Sequence, residues 1–288
     1  MSQIILGTAN FAKEYGVANK GKMLARVESE AIINWAQANG VNHFDTAIAY
    51  GDSTEILSSS LNHSLEPDID TKLDEKSCQS SKLIVETAEE IRQKLGVRQL
   101  SVLYLHDEGI LQTALGVEIS IGMKEVLNLG IAKKIGVSVY SEGSVLACKE
   151  VLPELTVFQV PENICDRRII SSRALQDLAK RGNSFVIRSI FLQGLLLMNP
   201  AEIPPQLTPA KAKIQELITL ANKNSLSVVE VCLAYANSIS WASGIVIGVA
   251  SLDQLKEICN SSASLPTGWP TSISTLPEEV LDPRKWEL

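Results

Sequence analysis

Short apolar runs alternate along the chain with longer segments in which apolar residues recur every three or four positions. The runs occupy 4–6, 41–44, 69–73, 101–105, 134–139, 156–160, 185–188 and 244–247 and read as buried strands. Helical periodicity covers 26–39, 53–60, 82–95, 119–129, 143–151, 172–181, 209–222 and 252–260, with an additional helix over 227–236. In the first of these, Ala31, Ile32, Trp35 and Ala38 are spaced for one buried face; in the second, Ile56 and Leu57 point inward. Gly40, Gly96, Gly130 and Gly182 stand where helices should stop.

Strands that are short, β-branched and apolar suit a parallel sheet covered by helices, and the strict alternation predicts an α/β fold, a (β/α)8 TIM barrel. An open doubly wound sheet is the rival. It is disfavoured because the first strand runs into GTANFAKEYG and not into a GxGxxG turn. Residues 1–288 read as a single barrel domain. Pro200, Pro204 and Pro205 make 191–208 an ordered loop insertion, and 261–288 reads as a tail wrapping the surface.

Composition narrows the function classes. The net charge of -7 and the absence of basic clusters longer than Lys133-Lys134 or Arg167-Arg168 argue against a nucleic-acid partner. Five scattered cysteines without a CxxC read as reduced thiols, hence a cytoplasmic protein. Three histidines (His43, His63, His106) form no HxH or HExxH motif, so no metal site is expected. The N-terminus lacks a basic, apolar leader, and no 18-residue apolar window predicts a membrane span. A closed barrel offers no free strand edge, so a monomer is expected.

Chemistry in such a barrel sits at the C-terminal ends of the strands. There the sequence places Asp45 and Tyr50 after the second strand, Lys72 after the third, His106 after the fourth, Ser138 after the fifth, Gln159 and Asn163 after the sixth, and Arg188 and Ser189 after the seventh. A carbonyl accepting hydride develops negative charge on oxygen and needs a proton donor. A phenol beside an ammonium becomes a better donor, and a carboxylate keeps that ammonium charged. Tyr50 is therefore read as general acid, Lys72 as its tuner, Asp45 as the partner of Lys72, and His106 as the group orienting the substrate. Taken singly, each has an ordinary structural explanation: a turn Asp, a packed loop aromatic, a solvated lysine, a satisfied histidine.

The ordered string FDTAxxYGxxxE (44–55), TK (71–72), LH (105–106), GVS (136–138), QxxxN (159–163) and IGVASLDQLKE (247–257) resembles the aldo-keto reductase superfamily over nearly the whole chain. LGTANFAKEYGVAN, FLQGLL (191–196) and DPRKW (282–286) resemble a bacterial branch linked to sugar and surface-polysaccharide metabolism. The resemblance implies Asp45, Tyr50, Lys72 and His106 as the catalytic tetrad, and an NADP or NAD cofactor bound without a Rossmann fold. It implies that Ser138 and Gln159 hold the nicotinamide carboxamide, that Gly7 and Thr8 lie against the cofactor beside Asp45, and that Asn163 and Glu55 support the site from behind. Contacts from Arg188, Ser189, Leu192 and Gly194, and adenylate contacts from Gly248, Ser251, Gln254, Glu257 and Ile258, follow from the same pattern.

Val139, Glu162 and Arg188 depart from it, standing where the family commonly has Asn, Tyr and a stacking aromatic. The adenylate segment has Lys256 as its single cation, which leaves NADP only slightly ahead of NAD. The expected partner is a small carbonyl or sugar substrate. Its pocket walls are expected from Phe11, Tyr15, Arg188, Phe191 and the tail residues Trp269 and Trp286, with Asp107 and Glu108 suiting a polyhydroxy substrate and opposing a carboxylate. The alternative function is a non-catalytic nicotinamide-binding regulatory protein of the same fold. A barrel lyase or isomerase lacks the chemical partners it would need.

Overall fold

A computed structural model describes residues 3–19, 22–261, 264–265 and 275–286. The apolar runs become β1 (Gln3–Gly7), β2 (His43–Asp45), β3 (Asp68–Leu73), β4 (Leu100–Leu105), β5 (Ala132–Ser138), β6 (Val157–Pro161), β7 (Ser184–Arg188) and β8 (Ala242–Gly248). They pair in chain order into a closed barrel, all parallel, with β8 returning to β1. The open-sheet rival is thereby excluded.

Alternation along each strand sorts the side chains into two sets. Outward residues such as Leu6, Phe44, Leu103, Phe158 and Ile245 are buried under the helices. Inward residues form a second, inner cluster of Ile5, Val102, Tyr104, Val157 and Val186, with Val246 against it. The Tyr104 ring fills the barrel because Gly136 faces it: a Cβ at 136 would meet Tyr104 Cδ1 at 2.7 Å and the Val157 carbonyl at 2.6 Å. His43 and Asp70 also carry inward parity, and His43 Nε2 lies 3.1 Å from Asp70 Oδ1, one layer below Asp45 and Lys72.

The helices follow the sequence pattern, with one shifted face. In helix Arg26–Ala38 the buried residues are Ser29, Ile32, Ile33, Ala36 and Gln37; Ala31 and Ala38 are exposed. Gln37 can be buried because its amide is satisfied, donating to Asn42 Oδ1 at 2.7 Å and accepting from the Asn62 N–H at 2.8 Å. No single helix among the described residues is long and apolar enough to cross a membrane.

The segment after β7 contains three 3-10 turns, at Leu195–Leu197, Pro200–Glu202 and Pro205–Ala210. Near the C-terminus, helix Glu278–Leu281 buries Val280 and Leu281. The Leu276 N–H donates to the Cys165 carbonyl at 3.0 Å, and Trp286 Nε1 donates to the Val280 carbonyl at 3.0 Å. Trp269 lies outside the described residues.

Candidate active site

Register brings the polar inward residues to one end of the barrel: Gly7 pairs with Asp45 and Gly248, and Ser138 with Gln159. Lys72 Nζ forms an ion pair with Asp45 Oδ1 and donates to the Thr46 carbonyl at 3.3 Å; both partners of the pair are buried. Gln159 Nε2 donates to the other Asp45 oxygen at 2.8 Å. The Tyr50 ring lies over this group, with its centre 5.5 Å from Lys72 Nζ, and the His106 ring meets it edge-on at 5.8 Å. The four side chains singled out at three strand ends therefore share one site.

Their electrostatics differ from the sequence expectation in one respect. Burial raises the Tyr50 phenol above the ordinary tyrosine range, the Asp45 carboxylate raises it further, and Arg188 is the cation that opposes them. Lys72 was expected to be the tuner. Its charge is matched by Asp45, so the pair presents little net charge to the phenol. Tyr50 consequently holds its proton at neutral pH.

Burial, with Lys72 next, pulls His106 down to about 4. The imidazole is neutral at pH 7 and can donate or accept a hydrogen bond without being an acid. Between about 6.5 and about 4 the unfolded chain takes up a proton at this residue that the folded chain refuses, so its contribution to stability falls as pH drops through that window. A wild-type kcat/KM profile is expected to show no limb from His106 between pH 5 and 8. A tenfold decline per pH unit above a pKa near 6.5 would instead mark an imidazolium as the acid.

A hydroxyl cluster holds the loop that carries Tyr50. Ser53 Oγ donates to Thr8 Oγ1 at 2.5 Å and lies 3.1 Å from Thr46 Oγ1, while Thr8 Oγ1 donates to the Asp45 carbonyl at 3.1 Å. This ties the start of helix Ser53–Ser60 to the ends of β1 and β2. Gly51 completes the turn at φ +59°, where a Cβ would stand 2.9 Å from the Ala12 carbonyl.

A cleft opens above the barrel end. One wall is the segment after β7, in which Ser189, Leu192 and Gln193 all take positive φ, a clustering of backbone strain typical of ligand sites. Across it, a Cβ on Gly194 would meet Ala18 Cβ at 2.6 Å, so the loops at 16–19 and 193–194 touch.

The Aldo/keto reductase family model matches residues 3–267. The chain belongs to the aldo/keto reductase family. Solved structures share its fold at low identity. The thermostable aldo-keto reductase Tm1743, solved with the inhibitor epalrestat, is 18% identical with a TM-score of 0.71, over 93% of this chain and 92% of that one. The glycerol dehydrogenase AKR11B4 from Gluconobacter oxydans is 22% identical with a TM-score of 0.68, over 92% and 88%. PA4992 from Pseudomonas aeruginosa is 17% identical with a TM-score of 0.62, over 91% and 89%. No curated protein matches the chain.

The positions implied by the aldo/keto reductase pattern divide into two groups. Gly7, Asp45, Tyr50, Gln159, Arg188 and Ser189 line the cleft, as do Gly194, Gly248 and Gln254. Lys72 and His106 do not line it; both lie against the Tyr50 ring, which does. Ser138 is buried at the end of β5. The Thr8 side chain is spent on the hydroxyl cluster, and Leu192 and Ile258 bury their side chains at 1% and 2% exposure. Ser251 Oγ accepts the Gln254 N–H at 3.2 Å as a helix cap, and Glu257 is exposed with an oxygen 3.5 Å from Ser227 Oγ.

Other expectations need correction. Glu55 forms a surface ion pair with Lys94 on the next helix and does not back the site. Asn163 does brace it, donating to the Ser189 carbonyl at 3.2 Å and accepting the Cys165 N–H at 2.9 Å. Tyr15 and Phe191 line the cleft, whereas Phe11 is packed into the core. Asp107 Oδ1 accepts the Gly109 N–H at 2.7 Å and Glu108 Oε2 the Tyr140 N–H at 2.6 Å, so neither carboxylate faces the cleft. Glu162 is a buried bracket: it accepts from Tyr235 Oη at 2.5 Å and from the Ile169 and Ile170 N–H groups at 3.1 and 3.0 Å. Burial pushes its carboxyl up to about 8 against those donors.

Sequence reasoning missed Asn10, Asn19, Gln193 and Tyr140. Asn10 lines the cleft, donates to the Val249 carbonyl at 3.1 Å and leaves its buried Oδ1 without a partner. Its position three residues past a strand-end glycine was the available signal.

Proposed function

We propose that the chain catalyses the reversible, nicotinamide-dependent reduction of a small polar aldehyde or ketone, with Tyr50 as proton donor. The observation that carries this reading is the Lys72–Asp45 ion pair seated under the Tyr50 ring, with His106 on the ring edge, at the floor of a cleft. A bound nicotinamide would supply hydride to the carbonyl carbon. The proton for the carbonyl oxygen comes from Tyr50, whose phenol burial and Asp45 keep protonated at neutral pH. Neutral His106 can hydrogen-bond the same oxygen and orient it. Lys72 and Gln159 both donate to Asp45, which fixes the ammonium and the carboxylate together beneath the phenol.

The residues present suit a dinucleotide. Gly7 and Gly248 offer backbone without a side chain, and a Cβ at 248 would find no atom within 4 Å. Asn10 Oδ1 is an acceptor awaiting a donor, and Gln159 keeps its amide oxygen for a carboxamide N–H.

The choice between nucleotides turns on the adenylate end. Gln254 Oε1 is committed to the Ala250 N–H at 2.7 Å, and Lys256 lies 3.5 Å from Asp253. No Lys lines the cleft among the described residues, and its cation Arg188 belongs to the barrel end. These engagements support NADH at least as well as NADPH. Steady-state kcat/KM is expected to be at least as high with NADH as with NADPH at low salt. A preference for NADPH of more than about tenfold would require a cation clamp on the 2′-phosphate. Fluorescence titration with each nucleotide, followed by turnover on a panel of small aldehydes, tests the reading as a whole; failure to bind either nucleotide ends it. FLQGLL and DPRKW support a sugar-derived carbonyl within this class.

A further inference from the structure

We propose that His43 and Asp70 form an ion pair inside the barrel whose task is to leave Lys72 to Asp45, which makes both of them positioning residues for proton transfer by Tyr50. The proposal rests on the carbonyl-reduction reading and adds to it two side chains that lie outside the lining of the cleft.

The barrel interior holds two carboxylates on neighbouring strands and one ammonium. Asp45 on β2 and Asp70 on β3 are register partners with inward side chains, and neighbouring strands lie about 4.8 Å apart. Lys72 follows Asp70 by two residues, so it leaves the same face of the same strand. Lys72 nonetheless pairs with Asp45. His43 accounts for the choice. Its Nε2 lies 3.1 Å from Asp70 Oδ1, and the Asp70 side chain is 1% exposed. Among the described residues no hydrogen bond reaches either ring nitrogen or either Asp70 oxygen, so the charge of each group is met by the other.

Apart from Lys72, the surroundings offer Asp70 no other cation among the described residues. The other carboxylate of β3, Asp68, is engaged by Lys133 Nζ at 3.0 Å and by Ser101 Oγ at 2.6 Å. On β4 the register partner of Asp70 is Val102, and that of Lys72 is Tyr104, whose ring centre lies 5.8 Å from Lys72 Nζ. On β5 Gly136 faces Tyr104, while Lys133 and Lys134 are exposed. The inward residues of β1, β6, β7 and β8 at this depth are Ile5, Val157, Val186 and Val246. Burial raises the Asp70 carboxyl, His43 opposes that rise, and Asp45 adds to it. Burial lowers the His43 ring, but contact with Asp70, backed by Asp68 and Asp45, lifts it above its ordinary value.

Without His43, Asp70 becomes an unmatched buried charge on the strand that carries Lys72. The ammonium is then divided between two carboxylates. Asp45, which already raises the Tyr50 phenol, weighs more heavily against the departing proton. Protonating Asp70 removes the competition, so turnover in such a variant rises as pH falls.

The test measures turnover of a responsive small aldehyde and fluorescence titration of nucleotide from pH 5 to 9 in wild type, His43→Gln and His43→Gln/Asp70→Asn. His43→Gln is expected to bind nucleotide as wild type does, to lose about 10- to 100-fold in kcat at the alkaline end, and to recover as Asp70 takes up a proton. The double variant buries no lone carboxylate and should regain most of the lost turnover and shed the pH limb. Damage to packing would do the opposite, because two buried substitutions would then compound. A His43→Gln profile parallel to wild type, or a double variant no faster than the single one, overturns the proposal.

Wild type alone supplies a second readout. With isotope-labelled histidine, the His43 ring is expected to be an imidazolium at neutral pH, protonated on both nitrogens, with the signals assigned through His63→Gln and His106→Gln. A neutral His43 ring overturns the proposal without any variant at position 43. The two readings also fail differently. Absence of turnover on every aldehyde ends the positioning role together with carbonyl reduction, whereas a neutral ring or a missing rescue in a protein that reduces aldehydes ends the positioning role alone.

Discussion

Tyr50→Phe is expected to bind nicotinamide nucleotides as wild type does and to lose about 10²- to 10⁴-fold in kcat. The substitution removes one oxygen and keeps the ring. That ring makes the edge contact with His106 and the 5.5 Å approach to Lys72, so the packing of the site should survive. The phenol is lifted above its ordinary range by burial and by Asp45, which makes it a permanent proton store and a weak acid until charge develops on a bound oxygen. Neutral His106, held near 4, cannot replace it as an acid at pH 7. The measurement is kcat with a responsive aldehyde alongside fluorescence titration of nucleotide; undiminished turnover would remove Tyr50 from the mechanism.

Lys72→Met is expected to reduce both stability and turnover. The ammonium and the Asp45 carboxylate are each almost wholly buried, at 1% and 2% exposure. Removing the cation leaves a buried carboxylate with Gln159 as its remaining side-chain donor, and breaking a buried pair in this way costs about 3–5 kcal/mol. Urea or guanidinium unfolding would read that loss as a lower midpoint at unchanged slope. Adding Asp45→Asn to Lys72→Met should recover part of the stability, because no lone charge is then buried, while turnover stays low. A Lys72→Met protein as stable as wild type would mean that the pair is hydrated and does not organise the site.

Much of this was readable from residue order. Apolar runs alternating with 3.6-period segments specify strand, helix, strand, and the parity of inward positions then selects Asp45, Lys72, Gln159 and Arg188 for one barrel end. What could not be read was how each polar atom is spent. Thr8 occupies a strand-end position suited to a ligand, yet its hydroxyl serves Ser53. Glu55 sits in a site motif and pairs with Lys94 across two helices. The left-handed residues after β7 follow from tertiary closure against the 16–19 loop, which local propensity does not encode.

The shared inward parity of the mouth residues also limits how such a chain can change in length. Inserting or deleting one residue within a strand would exchange the proton-handling side chains for the apolar ones that face the helices, undoing site and core together. Length variation is admissible only in the connecting segments, which supply the walls of the cleft. The part that moves protons is thus locked to the scaffold, while the part that chooses among substrates is free to drift.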